Sequence, residues 1–292
     1  MGISSRNYQP ALEGLLGDFG ISKSTVSRNV VAASASRLKE LQERSLKDFI
    51  PFAVFIDGYH IGGEVYIVAL GIDTMGPKKA LGLWLGATEN HVICNELLSS
   101  LEERGVNLDE EVLWITDGGK GIIKALKEKY GKELMHQRRI IHKDRNIQAH
   151  LPKKYRKEAH RRFKNATDCV KYEDAEKELK LMEEWLERIN PSAAESLREG
   201  REELLTVHRL EVPPLLRKSL YSTNPIESML SQVNYLHRRV KNMKRGKQMA
   251  RRWVGSNLLE AEKKFRTVKG YLSINEVKGK MKALRKKKSE AA

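Results

Sequence analysis

Two apolar runs that end in the same dipeptide constrain this chain more than any other feature. Residues 52–57 read FAVFID and residues 111–117 read EVLWITD, and in both the closing Asp is followed by Gly. An unbroken apolar run of this length suits a strand buried on both faces, because an amphipathic strand would alternate. The chain must therefore build a sheet covered on both sides. Three more strands are expected, at residues 64–73 (EVYIVALGID), 79–86 (KALGLWLG) and 133–138 (ELMHQR). Turn signals at Gly62-Gly63 and Gly76-Pro77 join the first three as an antiparallel meander. Helical periodicity over residues 89–104 separates the third strand from the fourth, and a Gly-opened helix ending at Gly131 separates the fourth from the fifth. Three strands, helix, strand, helix, strand is an α/β pattern in which a crossover gives a hairpin-built sheet a parallel partner.

Residues 141–210 carry no strand signal. Leu179, Met182, Leu186 and Ile189 repeat at helical spacing until Asn190-Pro191 breaks the run. Trp185 belongs to this block and reads as a core residue of an amphipathic helix. After Pro213-Pro214 the segment STNPIESMLSQVNYLHRRV reads as a helix capped by Ser222, Thr223 or Asn224, with Pro225 in its first turn.

The balance of 54 Lys and Arg against 38 Asp and Glu leaves a net charge of +16 over 292 residues. Three stretches hold more than the whole excess: residues 138–164 at +9, 238–252 at +8 and 263–288 at +10, leaving −11 elsewhere. Segregated basic stretches are the footprint of a polyanionic partner. The tail VKGKMKALRKKKSEAA, residues 277–292, is expected to be disordered or loosely helical. Two cysteines, Cys94 and Cys169, exclude a disulfide scaffold and a four-cysteine metal site. No run is long and apolar enough for a membrane span, and no signal peptide opens the chain. A reducing, cytosolic compartment is expected.

Residues 4–34 read as two short helices about a Gly-flanked turn, the first near residues 10–16 with Leu12, Leu15 and Leu16, the second starting at SKSTVSR with Ser22 as its cap. Val26 and Val30 share its inner face, while Ser24, Thr25, Ser27 and Arg28 point outward as a recognition helix would offer them to DNA. Such a module needs a third helix, which would precede residue 1. The expected organisation is then a partial helix-turn-helix at 1–35, a sheet domain at 36–140, a helical insertion at 141–212, a returning core segment at 213–262 and a basic tail at 263–292.

Asp57 and Asp117 close the two buried strands, at the sheet end where α/β proteins collect ligands. Adjacent unpaired carboxylates repel, and hard divalent cations with oxygen ligands resolve that repulsion. Glu227, in the first turn of the last major helix, is the third candidate, completing a set suited to two-metal phosphoryl transfer. The same residues also suit ordinary turn aspartates and a dipole-favoured helix acid. The basic stretch that follows Glu227 on its own helix favours the phosphate reading.

The blocks IDGYHI, LWITDGGKGI, HQRRIIHKDRNI and YSTNPIESML together resemble the IS256/Mutator class of DDE transposases, in order and spacing, to about residue 259. The resemblance implies an RNase H-like catalytic core interrupted by a helical insertion between the second Asp and the Glu. It implies Asp57, Asp117 and Glu227 as the catalytic and metal-binding triad, two Mg²⁺ ions with Mn²⁺ able to substitute, and strand cleavage and joining of double-stranded DNA. Where the family carries Cys, two residues, then His, this chain has Arg139 and His142, and Ile140 stands where Trp is usual. His142, Asn146, Thr223 and Asn224 match the family pattern as supporting residues. Expected DNA contacts are Ser24, Thr25, Arg28, Arg138, Arg139, Lys143, Arg145, Arg238, Arg239, Lys241, Lys244 and Arg245. Pairing two DNA ends implies a homodimer or larger assembly, and DNA as partner implies a cytoplasmic, nucleoid-associated protein. Two other readings remain open at this point: a noncatalytic DNA-binding descendant of such an enzyme, and an RNase H-fold nuclease that cuts without joining.

Overall fold

The computed structural model describes residues 23–61, 63–108, 111–131, 134–221, 224–237 and 247–290. The first helix of the expected helix-turn-helix, the Ser22 cap of the second, the cap candidates Ser222 and Thr223 and residues 238–246 lie outside the described residues. Helix α1 (Lys23–Glu43) leads into strands β1 (Pro51–Ile61), β2 (Glu64–Asp73) and β3 (Lys78–Leu85). Helix α2 (His91–Glu103), strand β4 (Leu113–Thr116), helix α3 (Lys120–Tyr130) and strand β5 (Met135–Arg138) complete the first part of the core. A helical run follows: α4 (Ile140–Ala149), α5 (Lys153–Asp168), α6 (Tyr172–Glu187), α7 (Pro191–Arg198), α8 (Arg201–Leu204) and α9 (Thr206–Arg209). Helices α10 (Pro214–Tyr221), α11 (Asn224–His237), α12 (Lys247–Glu262) and α13 (Ile274–Glu290) return to the sheet.

The sheet order is β3-β2-β1-β4-β5. β1 pairs antiparallel with β2, and β2 with β3, whereas β4 is parallel to both β1 and β5. This is the hairpin-plus-crossover sheet that the periodicity predicts, and with its strandless block it forms an RNase H-like core carrying a helical insertion. One expected boundary moves. β1 does not stop at Asp57 but runs on to Ile61 against β2, so Gly58 lies within a strand rather than at a turn. The extension GYHI pairs Gly58 with Ile67 and Tyr59 with Tyr66, so beyond Ile56 the ladder of β1 runs along β2 only.

Strand alternation sends side chains to two separate cores. Ala53, Phe55, Tyr59, Leu113 and Ile115 face one layer, with Ile226, Met229 and Val233 of α11 and Val254 and Leu258 of α12. Val54, Ile56, Ile67 and Trp114 face the other, against Leu97, Leu98 and Leu101 of α2 and Ile122 and Leu126 of α3. A third core, running from Ile147 to Leu205 and centred on Phe163, Leu179, Met182 and Leu197, belongs to the insertion alone. Trp185 packs half-buried against it, with the Arg162 guanidinium 5.0 Å above its ring.

The segments flanking the core pack onto it. Helix α1 continues unbroken through residues 35 and 36, and its Leu38 and Leu41 enter the first core. Arg37 pairs with Glu260, and Arg44 pairs with Glu262 through both nitrogens at 2.7 and 2.6 Å, so α1 is fastened to α12. The basic tail is not loose either. Ile274, Val277 and Met281 of α13 are fully buried in the first core. Each such apolar side chain contributes roughly 1.5–3 kcal/mol over an exposed one, which holds down a helix whose other faces are rich in lysine.

Candidate active site

The last parallel partners of β1 and β4 are Ile56 and Thr116, so Asp57 and Asp117 stand side by side where that pairing ends. Both share the strand face of Phe55 and Ile115, the face that α11 covers. Gly118, with φ +94°, turns the chain out of β4, and the Asp117 carboxylate accepts from the Gly119 N–H at 3.0 Å. The Thr88 hydroxyl donates to the other Asp117 oxygen at 3.4 Å. Ile226, Met229 and Val233 press α11 onto this face and bring Glu227, in its first turn, over the same end of the sheet. The Tyr59 hydroxyl donates to Asn234 at 2.7 Å, tying the extension of β1 to α11.

The neighbouring strand end adds a cation. Thr116 and Arg138 are the last partners of β4 and β5, and the Arg139 N–H donates to the Thr116 carbonyl at 2.9 Å. Alternation from Met135 and Gln137 puts Arg139 on the carboxylate face. Its guanidinium Nη1 lies 2.6 Å from Asp57 Oδ1, and Nη2 lies 3.5 Å from Glu227 Oε1. The Arg139 side chain is 2% exposed, against 9% for Asp57 and 43% for Glu227. Burial raises the Asp57 pKa; Arg139 and His142 oppose that rise and Asp117 adds to it. His142, half-buried in the first turn of α4, has its pKa lowered by burial and by Arg139, against the pull of Asp57 and Asp117. Asp57, Asp117, Glu227, Arg139 and His142 therefore form one electrostatic unit.

Other expected site residues are placed differently. Asn146 is exposed on α4, one turn beyond His142. Asn224 opens α11, and Ser24 and Thr25 lie in the first turn of α1. Arg28 and Arg145 are exposed. Arg138 and Lys143, expected as DNA contacts, are instead turned inward. Arg138 Nε lies 3.1 Å from Glu203, and Lys143 Nζ bonds the Ser196 carbonyl at 2.6 Å and Glu199 at 3.3 Å. Arg139 is likewise buried, and its charge is spent on Asp57. Burial with no counter-ion would be prohibitive for these cations, so carboxylates of the insertion answer two of them. Thr88, Tyr59 and Asn234 had no sequence signal, since their partners are distant in the chain.

A sequence profile described as "Transposase, Mutator family" matches residues 1–267. The chain belongs to the Mutator family of transposases. Among the curated relatives of this Mutator-family chain, the transposase for insertion sequence element IS905 of Lactococcus lactis subsp. lactis (strain IL1403) is 28% identical over 242 residues. That alignment covers 80% of this chain and 59% of the relative. The transposase for insertion sequence element IS1201 of Lactobacillus helveticus is 26% identical, covering 82% of this chain and 64% of the relative. A probable insertion-sequence transposase of Corynebacterium diphtheriae is 25% identical over 241 residues, 80% of this chain and 68% of the relative. The chain thus spans about 60% of the length of the first two. No described helix is long and apolar enough to cross a membrane.

Among the described residues, no three His, Cys, Asp or Glu side chains gather closely enough to hold a metal ion. The donor chemistry is right for Mg²⁺, with hard carboxylate oxygens on two strand ends and a helix. The arrangement does not fit one, because the guanidinium lies between Asp57 and Glu227.

Proposed function

We propose that this chain is the core of a DNA transposase, acting on double-stranded DNA at the phosphodiester backbone, with Asp57, Asp117 and Glu227 as the catalytic carboxylates. One observation supports the reading: the two strand-end aspartates and the first-turn glutamate of α11 lie at the same end of the sheet, with Arg139 between Asp57 and Glu227. In the full reaction the protein would cleave insertion-element ends and join the freed 3′ ends to target DNA. Arg28 and Arg145 are exposed cations suited to phosphate contact, and Ser24, Thr25, Arg238, Arg239, Lys241, Lys244 and Arg245 remain in the proposed DNA-contact set. His142 and Asn146, one helical turn apart, would line the approach to the carboxylates, with Thr223 and Asn224 orienting the helix that carries Glu227. Two Mg²⁺ ions, or Mn²⁺, are the cofactors this family chemistry calls for, and they would supply Lewis-acid activation. Arg139 stands between two of the carboxylates that would hold them. A homodimer or larger assembly on paired DNA ends, and a cytoplasmic, nucleoid-associated location, belong to the same proposal.

Purified protein and labelled terminal-repeat DNA test it. In an Arg139→Gln background, which frees the carboxylates to take a divalent ion, Asp57→Asn and Asp117→Asn should abolish divalent-dependent strand cleavage and leave DNA binding within about threefold. Cleavage unchanged in either variant overturns the carboxylate assignment. A second reading, DNA binding without cleavage, is favoured by the same buried guanidinium. It predicts retention of terminal-repeat DNA with no product in Mg²⁺ or Mn²⁺.

A further inference from the structure

A buried arginine between two carboxylates is an uncommon occupant for a site of this kind, and its surroundings are specific. Arg139 caps the start of α4 through its backbone, so its position is set by the end of the β4–β5 pairing rather than by its side chain. From there the side chain follows the strand face inward and ends at Asp57. Its Nε is buried without an acceptor, while Nη1 and Nη2 reach only the Asp57 and Glu227 carboxylates, so the guanidinium is held by charge. Arg104, by contrast, takes backbone acceptors at Leu81 and Arg44. The groups facing it are Asp57, Glu227 and His142, with Asp117 beside Asp57.

We propose that Arg139 is an internal counter-cation that takes the place of a divalent metal in this carboxylate site, so that Asp57 and Glu227 bind Mg²⁺ or Mn²⁺ only when the guanidinium charge is removed. A divalent ion needs carboxylate oxygens at about 2.0–2.1 Å in near-octahedral array. Nη1 already occupies that side of Asp57 Oδ1, at 2.6 Å. An ion brought between Asp57 and Glu227 would also sit beside a fixed positive charge that has no solvent to screen it. The inference rests on the assignment of Asp57 and Glu227 to one site, and it concerns cation occupancy rather than turnover.

Mn²⁺ binding, followed by electron paramagnetic resonance of free Mn²⁺ and by calorimetry on the full chain, tests it without any cleavage assay. The wild type should show no Asp57-dependent Mn²⁺ binding up to millimolar concentration. Arg139→Gln, which keeps most of the side-chain length and drops the charge, should bind Mn²⁺ at least tenfold more tightly than the wild type. Arg139→Lys retains a buried cation and should stay within threefold of the wild type, which separates charge from shape if one variant folds poorly. Asp57→Asn added to Arg139→Gln should abolish the gain. Wild-type Mn²⁺ affinity equal to that of Arg139→Gln, with both folded, overturns the proposal, and so does a folded Arg139→Gln that binds no Mn²⁺. A gain that persists without Asp57 would instead defeat the carboxylate-site reading on which the proposal stands.

Discussion

Asp57→Ala probes the energetic logic of the site directly. In the wild type both partners are withdrawn from water, at 6% exposure for Asp57 and 3% for Arg139. Removing the carboxylate leaves a guanidinium whose remaining ion-pair partner among the described residues is Glu227, its oxygen 3.5 Å from Nη2 on a side chain 43% exposed. Breaking a buried ion pair from one side costs about 3–5 kcal/mol, most of it the desolvation of the charge left behind. At roughly 2 °C per kcal/mol for a chain of this size, the melting temperature should fall by roughly 6–10 °C. Replacing both members, as Asp57→Ala with Arg139→Met, removes the stranded charge and refills the space with apolar volume. The double variant should recover most of the loss, because hydrophobic replacement of buried pairs is often neutral or stabilising. Urea denaturation of the four proteins yields the coupling energy, expected to be at least about 2 kcal/mol. A loss below about 1 kcal/mol for Asp57→Ala, or additive single effects, would refute the claim that the guanidinium depends on Asp57.

Acid sensitivity should arise in part from His208, which is buried, donates from Nε2 to the Cys169 carbonyl at 2.9 Å and accepts at Nδ1 from Tyr221 at 2.5 Å. Burial, then Arg217, holds its pKa down to about 4 from the ordinary 6.5. The unfolded chain binds more protons between those values, so this contribution, about 3 kcal/mol, is complete above pH 6.5 and lost as the pH falls toward 4. His208→Gln should flatten the fall in melting temperature across that window, and an unchanged slope would refute the assignment. Gly121→Ala should destabilise by about 1–3 kcal/mol in urea titrations, since the new Cβ would meet the backbone carbonyl of Glu89 at 2.4 Å, which cannot swing aside. A neutral Gly121→Ala would show that the Thr88–Asn90 segment yields more readily than its packing indicates.

The strands that carry Asp57 and Asp117 were legible because a covered sheet writes continuous apolar runs into the sequence. The extension of β1 to Ile61 was not, because GYHI draws its pairing from β2 and carries no apolar run of its own. Helix α13 did carry a signal: Ile274, Val277 and Met281 fall at i, i+3 and i+7, the spacing of a buried stripe. The density of lysine around them hid it. The basic run after residue 138 misled in a more instructive way. Net charge reads as surface, but Arg138 and Lys143 are answered by Glu199 and Glu203, some sixty residues further on, and Arg139 by Asp57 on another strand. Nothing local to a cation reveals a counter-ion that the fold delivers from elsewhere.

The order in which the chain is made gives the Asp57–Arg139 pair a further meaning. Synthesis runs from the N-terminus and segments fold as they become available. All five strands and Arg139 precede the insertion, whereas Glu227 follows Arg139 by 88 residues. A sheet closed with two aspartates side by side at one end and no nearby cation would carry that repulsion uncompensated until later segments arrived. Here the neutralising charge is the first residue after β5. The emerging domain can pair Asp57 before the insertion exists, and Glu227 then joins a site in which one of the two aspartates already has its counter-charge.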